Sequence, residues 1–270
     1  MQLRPYQQAA VNAVYNHLRD RDDNPCVVIP TAGGKTPCMA TICKDAVTLW
    51  QGRVLVLAHV KELLQQTADK LTAVCPEVNF GIYSAGLKRR DTDNPVIIAG
   101  IRSVYKRACE LDRFDLIIVD EATHYKNSQS VRWKTLNRIV GPNTWLWLMT
   151  GTPAAQSPLD AYGIAKLVNP DGVPRYFTSF KDMVMTKVSN FRWIPKHTAM
   201  QTVYQALQPA IRYTKDECLD LPEMTYVTRD IPLTKQQMKY YETLRKHMVA
   251  VAAGEEITTV NAAASLNKLL

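Results

Sequence analysis

The chain has 270 residues, enough for one large domain or a domain with an insertion, but cramped for two complete nucleotide-binding lobes. Hydrophobic residues make up 46% and charged residues 21%, as in an ordinary soluble globular protein, and the longest apolar runs, such as Val54 to Ala58, are too short to span a bilayer. A net charge of +8 favours polyanionic partners through counterion release, although taken alone it describes a solvated basic surface better. The six cysteines form no Cys-x-x-Cys pair and the five histidines do not fall at metal-ligand spacing with them, so they read as buried reduced thiols.

In chain order, a helix can open at Pro5, where proline is preorganised for the first helical position. Short apolar runs then alternate with helical patterns. Cys26 to Ile29, Arg53 to Ala58, Val96 to Ala99, Leu116 to Val119 and Trp145 to Met149 are predicted strands. Helices are expected to begin near Thr36, Val60, Ile101 and Ser130. Repeated βαβ units with continuously apolar strands predict a parallel, doubly wound α/β sheet covered on both faces, which binds ligands at the carboxyl ends of its strands. The expected core domain is 1–154. Beyond Pro153 the prolines and aromatics (Phe177, Phe180, Phe191, Trp193) predict a helical insertion over 155–223. The region 224–270 is expected to hold a strand from Tyr226 to Ile231 that returns to the sheet, a helix from Thr234 to about Ala253 and a second helix from Ile257 to Leu270. That last helix has no Gly or Pro terminator, which reads as a chain cut within a larger architecture.

Two segments at predicted strand ends carry the chemistry. In Pro30-Thr31-Ala32-Gly33-Gly34-Lys35-Thr36, a turn feeds a helix and aims backbone N–H groups at one anion-binding spot. Lys35 would reach the β- and γ-phosphates of ATP, and the Thr36 hydroxyl would ligate magnesium. Ile29 stands where the strict motif has its first glycine, so the match is to a looser form. In Asp120-Glu121-Ala122-Thr123-His124, Asp120 would hold magnesium and Glu121 would orient and deprotonate the attacking water. Adjacent acids at a strand end can also simply cap the next helix.

The sequence DEATH at Asp120–His124 resembles the DEAH-like box of superfamily-two helicases and translocases. Further segments match in order. Leu57-Ala58-His59-Val60-Lys61-Glu62-Leu63-Leu64-Gln65-Gln66 is similar to motif Ia, Gly100-Ile101-Arg102-Ser103 to motif Ib and Thr150-Gly151-Thr152-Pro153 to motif III. Leu3-Arg4-Pro5-Tyr6-Gln7 resembles the adenine-reading Q-motif. Leu148 to Pro153, Arg212-Tyr213-Thr214-Lys215 before Leu221-Pro222, and Ile231 to Gln237 before Tyr240-Tyr241 are similar to the Swi/Snf-type subgroup, with compact phage or bacterial members nearest.

This resemblance implies a RecA-like lobe that binds Mg-ATP. Gln7 would bond the adenine edge, Arg4 or Tyr6 would pack on the ring, and residues Thr31 to Thr36 would hold the phosphates. Its nucleic-acid track would be double-stranded DNA, gripped by Lys61, Arg102 and Ser103, while His124, Thr150 and Thr152 would couple hydrolysis to movement. The sequence contains no Gln-x-x-Gly-Arg-x-x-Arg segment, so the arginines completing the ATP site would come from a second RecA-like lobe of the parent protein. A strand-separating helicase, or a nucleotide-dependent DNA-binding module with little turnover, stand as alternatives. The N-terminus lacks the apolar stretch of a secretory signal. The expected place is therefore the cytoplasm of a bacterial or phage-infected cell, on the nucleoid, or the nucleus of a eukaryote, with no membrane contact.

Overall fold

A computed structural model describes residues 3–21, 23–31, 33–58, 61–107, 111–189, 192–218, 232–247, 249–252 and 255–258. The chain divides into two compact units, Met1–Leu221 and Pro222–Leu270.

In the first unit, α1 (Pro5–Asp20) precedes β1 (Cys26–Val28), α2 (Lys35–Thr48), β2 (Val54–Ala58) and α3 (Lys61–Val74). A hairpin of β3 (Phe80–Ser84) and β4 (Arg89–Arg90) leads to β5 (Val96–Gly100), α4 (Ile101–Arg107), β6 (Leu116–Asp120), α5 (Val131–Ile139) and β7 (Trp145–Thr150). Then follow α6 (Ala161–Val168), α7 (Phe177–Val184), a small antiparallel hairpin of β8 (Met185–Lys187) and β9 (Trp193–Pro195), α8 (Ala199–Ala206), β10 (Ala210–Arg212) and α9 (Lys215–Cys218).

The main sheet has eight strands in the order β10-β1-β7-β6-β2-β5-β3-β4. All neighbours pair in parallel except β3 and β4. Alternation along each strand divides the core in two. Val27, Ile29, Val56, Ile98, Ile118 and Trp147 pack with α1, α2 and α3 on one face. Val28, Leu57, Ala99, Val119 and Leu148 pack with α4 to α8 on the other. A sheet buried on both faces explains why its strands read as unbroken apolar runs.

The five predicted strands and the helix starts near 36, 60, 101 and 130 correspond to β1, β2, β5, β6 and β7 and to α2 to α5. Ser130 caps α5, its Oγ accepting from the Trp133 N–H at 3.2 Å.

The segment 155–223 departs from a purely helical insertion, because Ala210–Arg212 runs parallel to β1 and completes the sheet edge. Three residues are too few to show a period, and β10 is recruited because the outer edge of β1 would otherwise be unpaired. The expected strand from Tyr226 to Ile231 falls outside the described residues, as does Phe191. In the second unit, α10 (Lys235–His247) stops short of Ala253 and is followed by an antiparallel pair, β11 (Val249–Ala252) and β12 (Glu255–Thr258). The β-branched Val249, Val251, Ile257 and Thr258 favour strand over the helices expected there. Of the helix expected over 257–270, residues 259–270 lie outside the described residues.

Candidate nucleotide-binding site

Three adjacent strands deliver the chemistry to one edge. In the ladder β1-β7-β6, Val28 pairs with Thr150 and Asp120 with Met149, so the phosphate loop, motif III and the acidic box leave the sheet side by side. The loop and motif III are also tied together. Ile29 N–H donates to the Thr150 carbonyl at 3.0 Å. A Cβ on Gly151 would stand 3.1 Å from the Thr31 nitrogen, so glycine permits this close approach.

The phosphate loop folds back on itself, with Gly33 N–H donating to the Pro30 carbonyl at 2.9 Å. Gly34 is the N-cap of α2 and adopts the left-handed conformation, φ 74° and ψ 49°. It therefore needs glycine twice over, since a Cβ would also lie 2.2 Å from Gln7 Nε2. The Q-motif residues brace the loop from the side. Tyr6 OH donates to the Gly33 carbonyl at 2.6 Å, and Gln7 Nε2 donates to the Gly34 carbonyl at 3.2 Å. Gln7 Oε1 accepts from the Arg4 backbone N–H at 2.9 Å. Gln7 is buried, so both ends of its amide already hold the loop to the start of α1. Ala32 lies outside the described residues.

Across the cleft, Lys35 Nζ and Glu121 Oε1 form an ion pair at 2.7 Å. The Lys35 side chain is 11% exposed and that of Glu121 39%, so the pair sits at the mouth of the site with the ammonium on the sheltered side. Glu121 takes a left-handed backbone (φ 60°, ψ 64°), an uncommon conformation for a residue with a Cβ. It turns the chain from β6 straight into the short 3₁₀ turn of Ala122–Tyr125. Burial pushes the Asp120 carboxyl above its ordinary range; the Lys35 charge opposes that shift and the Glu121 charge adds to it. A half-buried carboxylate desolvated in this way, and the hydroxyl of a loop that leaves the same edge of the sheet, are hard oxygen donors of the kind that suit magnesium. Thr36, in the first turn of α2, carries that hydroxyl.

Thr150 is fully buried, and its Oγ1 accepts from the Thr152 N–H at 3.2 Å, while the Thr152 side chain is exposed. His124 is exposed on the 3₁₀ turn that packs against β7; its pKa is lowered by partial desolvation and then by the charge of Arg132, with Glu121 opposing. Of the expected nucleic-acid contacts, Arg102 is exposed at the start of α4 and Ser103 Oγ accepts from the Ala85 N–H at 3.3 Å. Both line a cleft of about 450 Å³ that also takes Arg132 and Tyr105. The Lys61 side chain lies outside the described positions.

Gly163 carries a structural role that sequence reading missed. Its N–H donates to the Lys126 carbonyl at 3.1 Å and its carbonyl accepts from Trp133 Nε1 at 2.7 Å. A Cβ there would fall 2.3 Å from the Lys126 oxygen, so α6 lies directly on the turn that follows the acidic box. Nothing in the local sequence marks Gly163, because the partner it touches is 37 residues away.

Residues 1–155 match the family described as "Type III restriction enzyme, res subunit". The chain belongs to this family. Within the res-subunit family match, the phosphate loop, the acidic box and motif III are all included. The chain is 30% identical over 130 residues to the Saccharomyces cerevisiae protein named as an ATP-dependent helicase, IRC3, covering 45% of this chain and 19% of that one. It is 23% identical over 219 residues to the chromatin-remodeling ATPase INO80 of Arabidopsis thaliana, covering 73% of this chain and 14% of that one. Among solved structures, the SWI2/SNF2 ATPase core of Sulfolobus solfataricus, in complex with double-stranded DNA, superposes with a TM-score of 0.65 at 20% identity. That match covers 92% of this chain and 53% of the other, and it shows a shared fold. The chain thus spans less than a fifth of the length of these two curated relatives.

Proposed function

We propose that this res-subunit family chain is the first ATPase lobe of an ATP-dependent double-stranded DNA translocase that couples Mg-ATP hydrolysis to movement. The observation that carries this reading is the Lys35–Glu121 ion pair at 2.7 Å, which joins the phosphate loop after β1 to the acidic box after β6, with β7 between them in the sheet. An incoming γ-phosphate competes with Glu121 for the Lys35 ammonium. Once released, the Glu121 carboxylate can accept a proton from the attacking water as its oxygen bonds to the γ-phosphorus and the bond to the β,γ-bridging oxygen breaks. Thr36 and Asp120 would hold magnesium, which would neutralise charge on the β- and γ-phosphate oxygens. Arg102 and Ser103, with Lys61, are the candidate DNA backbone contacts, and His124, Thr150 and Thr152 the candidate coupling residues. The DNA-bound solved structure of shared fold and the excess of basic residues support a DNA track.

The test is ATP hydrolysis with and without duplex DNA, in the full protein that carries this lobe. Lys35→Ala is expected to lose nucleotide binding. Glu121→Gln is expected to keep binding and lose at least about a hundredfold in turnover, the scale of removing a general base. Undiminished turnover in both variants refutes the proposal. Fork unwinding without triplex displacement would replace translocation by strand separation.

A further inference from the structure

The carboxyl edge of the sheet carries a second feature beside the nucleotide groups. The phosphate loop, motif III and the acidic box leave β1, β7 and β6, whereas the cleft of about 450 Å³ opens where β3 and β5 end. Ala85 and Gly86 follow β3, and Ile101, Arg102 and Ser103 follow β5. The remaining wall is the first turn of α5, with Val131 and Arg132. No Asp or Glu among the described residues lines the cleft.

The two arginines differ in standing. Arg102 is exposed, so water solvates its charge. Arg132 is half-buried, yet its guanidinium has no hydrogen bond or ion pair among the described residues. Arg53, sheltered to the same degree, donates to the Thr92 carbonyl and lies over the Phe114 ring. A cation partly withdrawn from water is ordinarily paired, so an unpartnered one in a cleft wall marks a place for an anion. Ser103 Oγ accepts from the Ala85 N–H at 3.3 Å, which leaves its own proton available as a third donor.

Arg132 also stands near the acidic box. The pKa of His124 is lowered by desolvation and then by the Arg132 charge, and burial raises that of Tyr125 against the same charge. Both residues belong to the 3₁₀ turn that follows Glu121.

We propose that Arg132 is a further DNA-backbone contact, which with Arg102 and Ser103 clamps the phosphates of one strand. This rests on double-stranded DNA being the track. The guanidinium fork matches phosphate oxygens, and a cleft that offers cations and a hydroxyl to the backbone holds every sequence alike. A phosphate held by Arg132 lies within electrostatic reach of the turn that begins at Glu121.

The test uses the full protein that carries this lobe, with a fluorescent duplex of mixed sequence followed by anisotropy over a range of salt concentrations. Loss of one phosphate contact reduces the slope of log affinity against log salt by about 0.9, which at 0.1 M salt is a factor of about eight in affinity. Arg132→Ala is expected to show both changes, and by the same factor on a duplex of different sequence. Lys134→Ala removes a cation about 200° round the same helix and is expected to leave affinity and slope as they were. An unchanged slope in Arg132→Ala, or an equal loss in Lys134→Ala, overturns the clamp and leaves DNA as the track. Absence of salt-dependent duplex binding by the unaltered protein removes the track and the clamp together. Should Arg132→Ala fail to fold, Arg132→Gln decides by the same slope.

Discussion

Replacing Gly163 by alanine tests whether α6 positions the acidic box. The new methyl would stand 2.3 Å from the Lys126 oxygen, 2.4 Å from the Tyr125 oxygen and 2.5 Å from the Lys126 carbonyl carbon, where ordinary contact begins at 3.4 Å. Helix and turn must therefore part by about 1 Å, and all three obstructing atoms are backbone, which cannot rotate aside. Overpacking of this kind costs ~1–3 kcal/mol. The same displacement strains the Gly163 N–H bond to Lys126 and the Trp133 bond to Gly163, at ~1 kcal/mol each. A total of ~3–5 kcal/mol corresponds to a fall in Tm of about 6–20 °C for a unit of this size. Because the displaced turn begins at Glu121, Mg-ATP affinity is expected to fall as well. Thermal unfolding and nucleotide titration of Gly163→Ala are compared with Gly141→Ala, whose Cβ would meet only Thr144 Oγ1 at an ordinary 3.6 Å. A Tm for Gly163→Ala within about 1 °C of the Gly141→Ala control refutes the close-contact account.

Asp120→Asn is expected to stabilise the fold while impairing magnesium-dependent nucleotide binding. The Asp120 carboxyl has a folded pKa raised by burial, so the folded state binds its proton more tightly than the unfolded chain does. Stability from this group is fully present below the unfolded pKa and is lost as pH rises through the folded one. The Tm advantage of the variant should therefore grow on going from acid to neutral pH, and an advantage that shrinks over that interval contradicts the sign. Gln7→Ala removes the bonds to Arg4 N–H and the Gly34 carbonyl and is expected to lower stability by ~1–2 kcal/mol. Titrations should show ATP and GTP weakened by similar factors, because the loop rather than the base has lost its brace; a loss confined to ATP with unchanged Tm would assign the amide to the base alone.

How much was legible in the sequence depends on whether a feature is local. β1, β2, β5, β6 and β7 were readable because strands buried on both faces leave uninterrupted apolar runs, and Gly34-Lys35-Thr36 and Asp120-Glu121 because their chemistry is carried by adjacent residues. β3, broken by Gly81 and ending in Ser84, and the three-residue β10 lack such a run and are strands only because a neighbouring edge accepts them. The helix expected from Thr234 to Ala253 ends at His247, where β-branched residues make a hairpin instead.

The sequence by itself determined the doubly wound class, the place of the phosphate loop and the acidic box at strand ends, and which groups are proposed to act on Mg-ATP. Only the tertiary structure decided that Lys35 and Glu121 meet at 2.7 Å, that Gln7 and Tyr6 hold the loop backbone, that Gly163 supports the acidic turn, and that Arg132 lines one cleft with Arg102. Local order along a chain sets which groups are available. Their partners are chosen by strand order, and strand order is settled by the packing of the whole sheet between its two layers of helices.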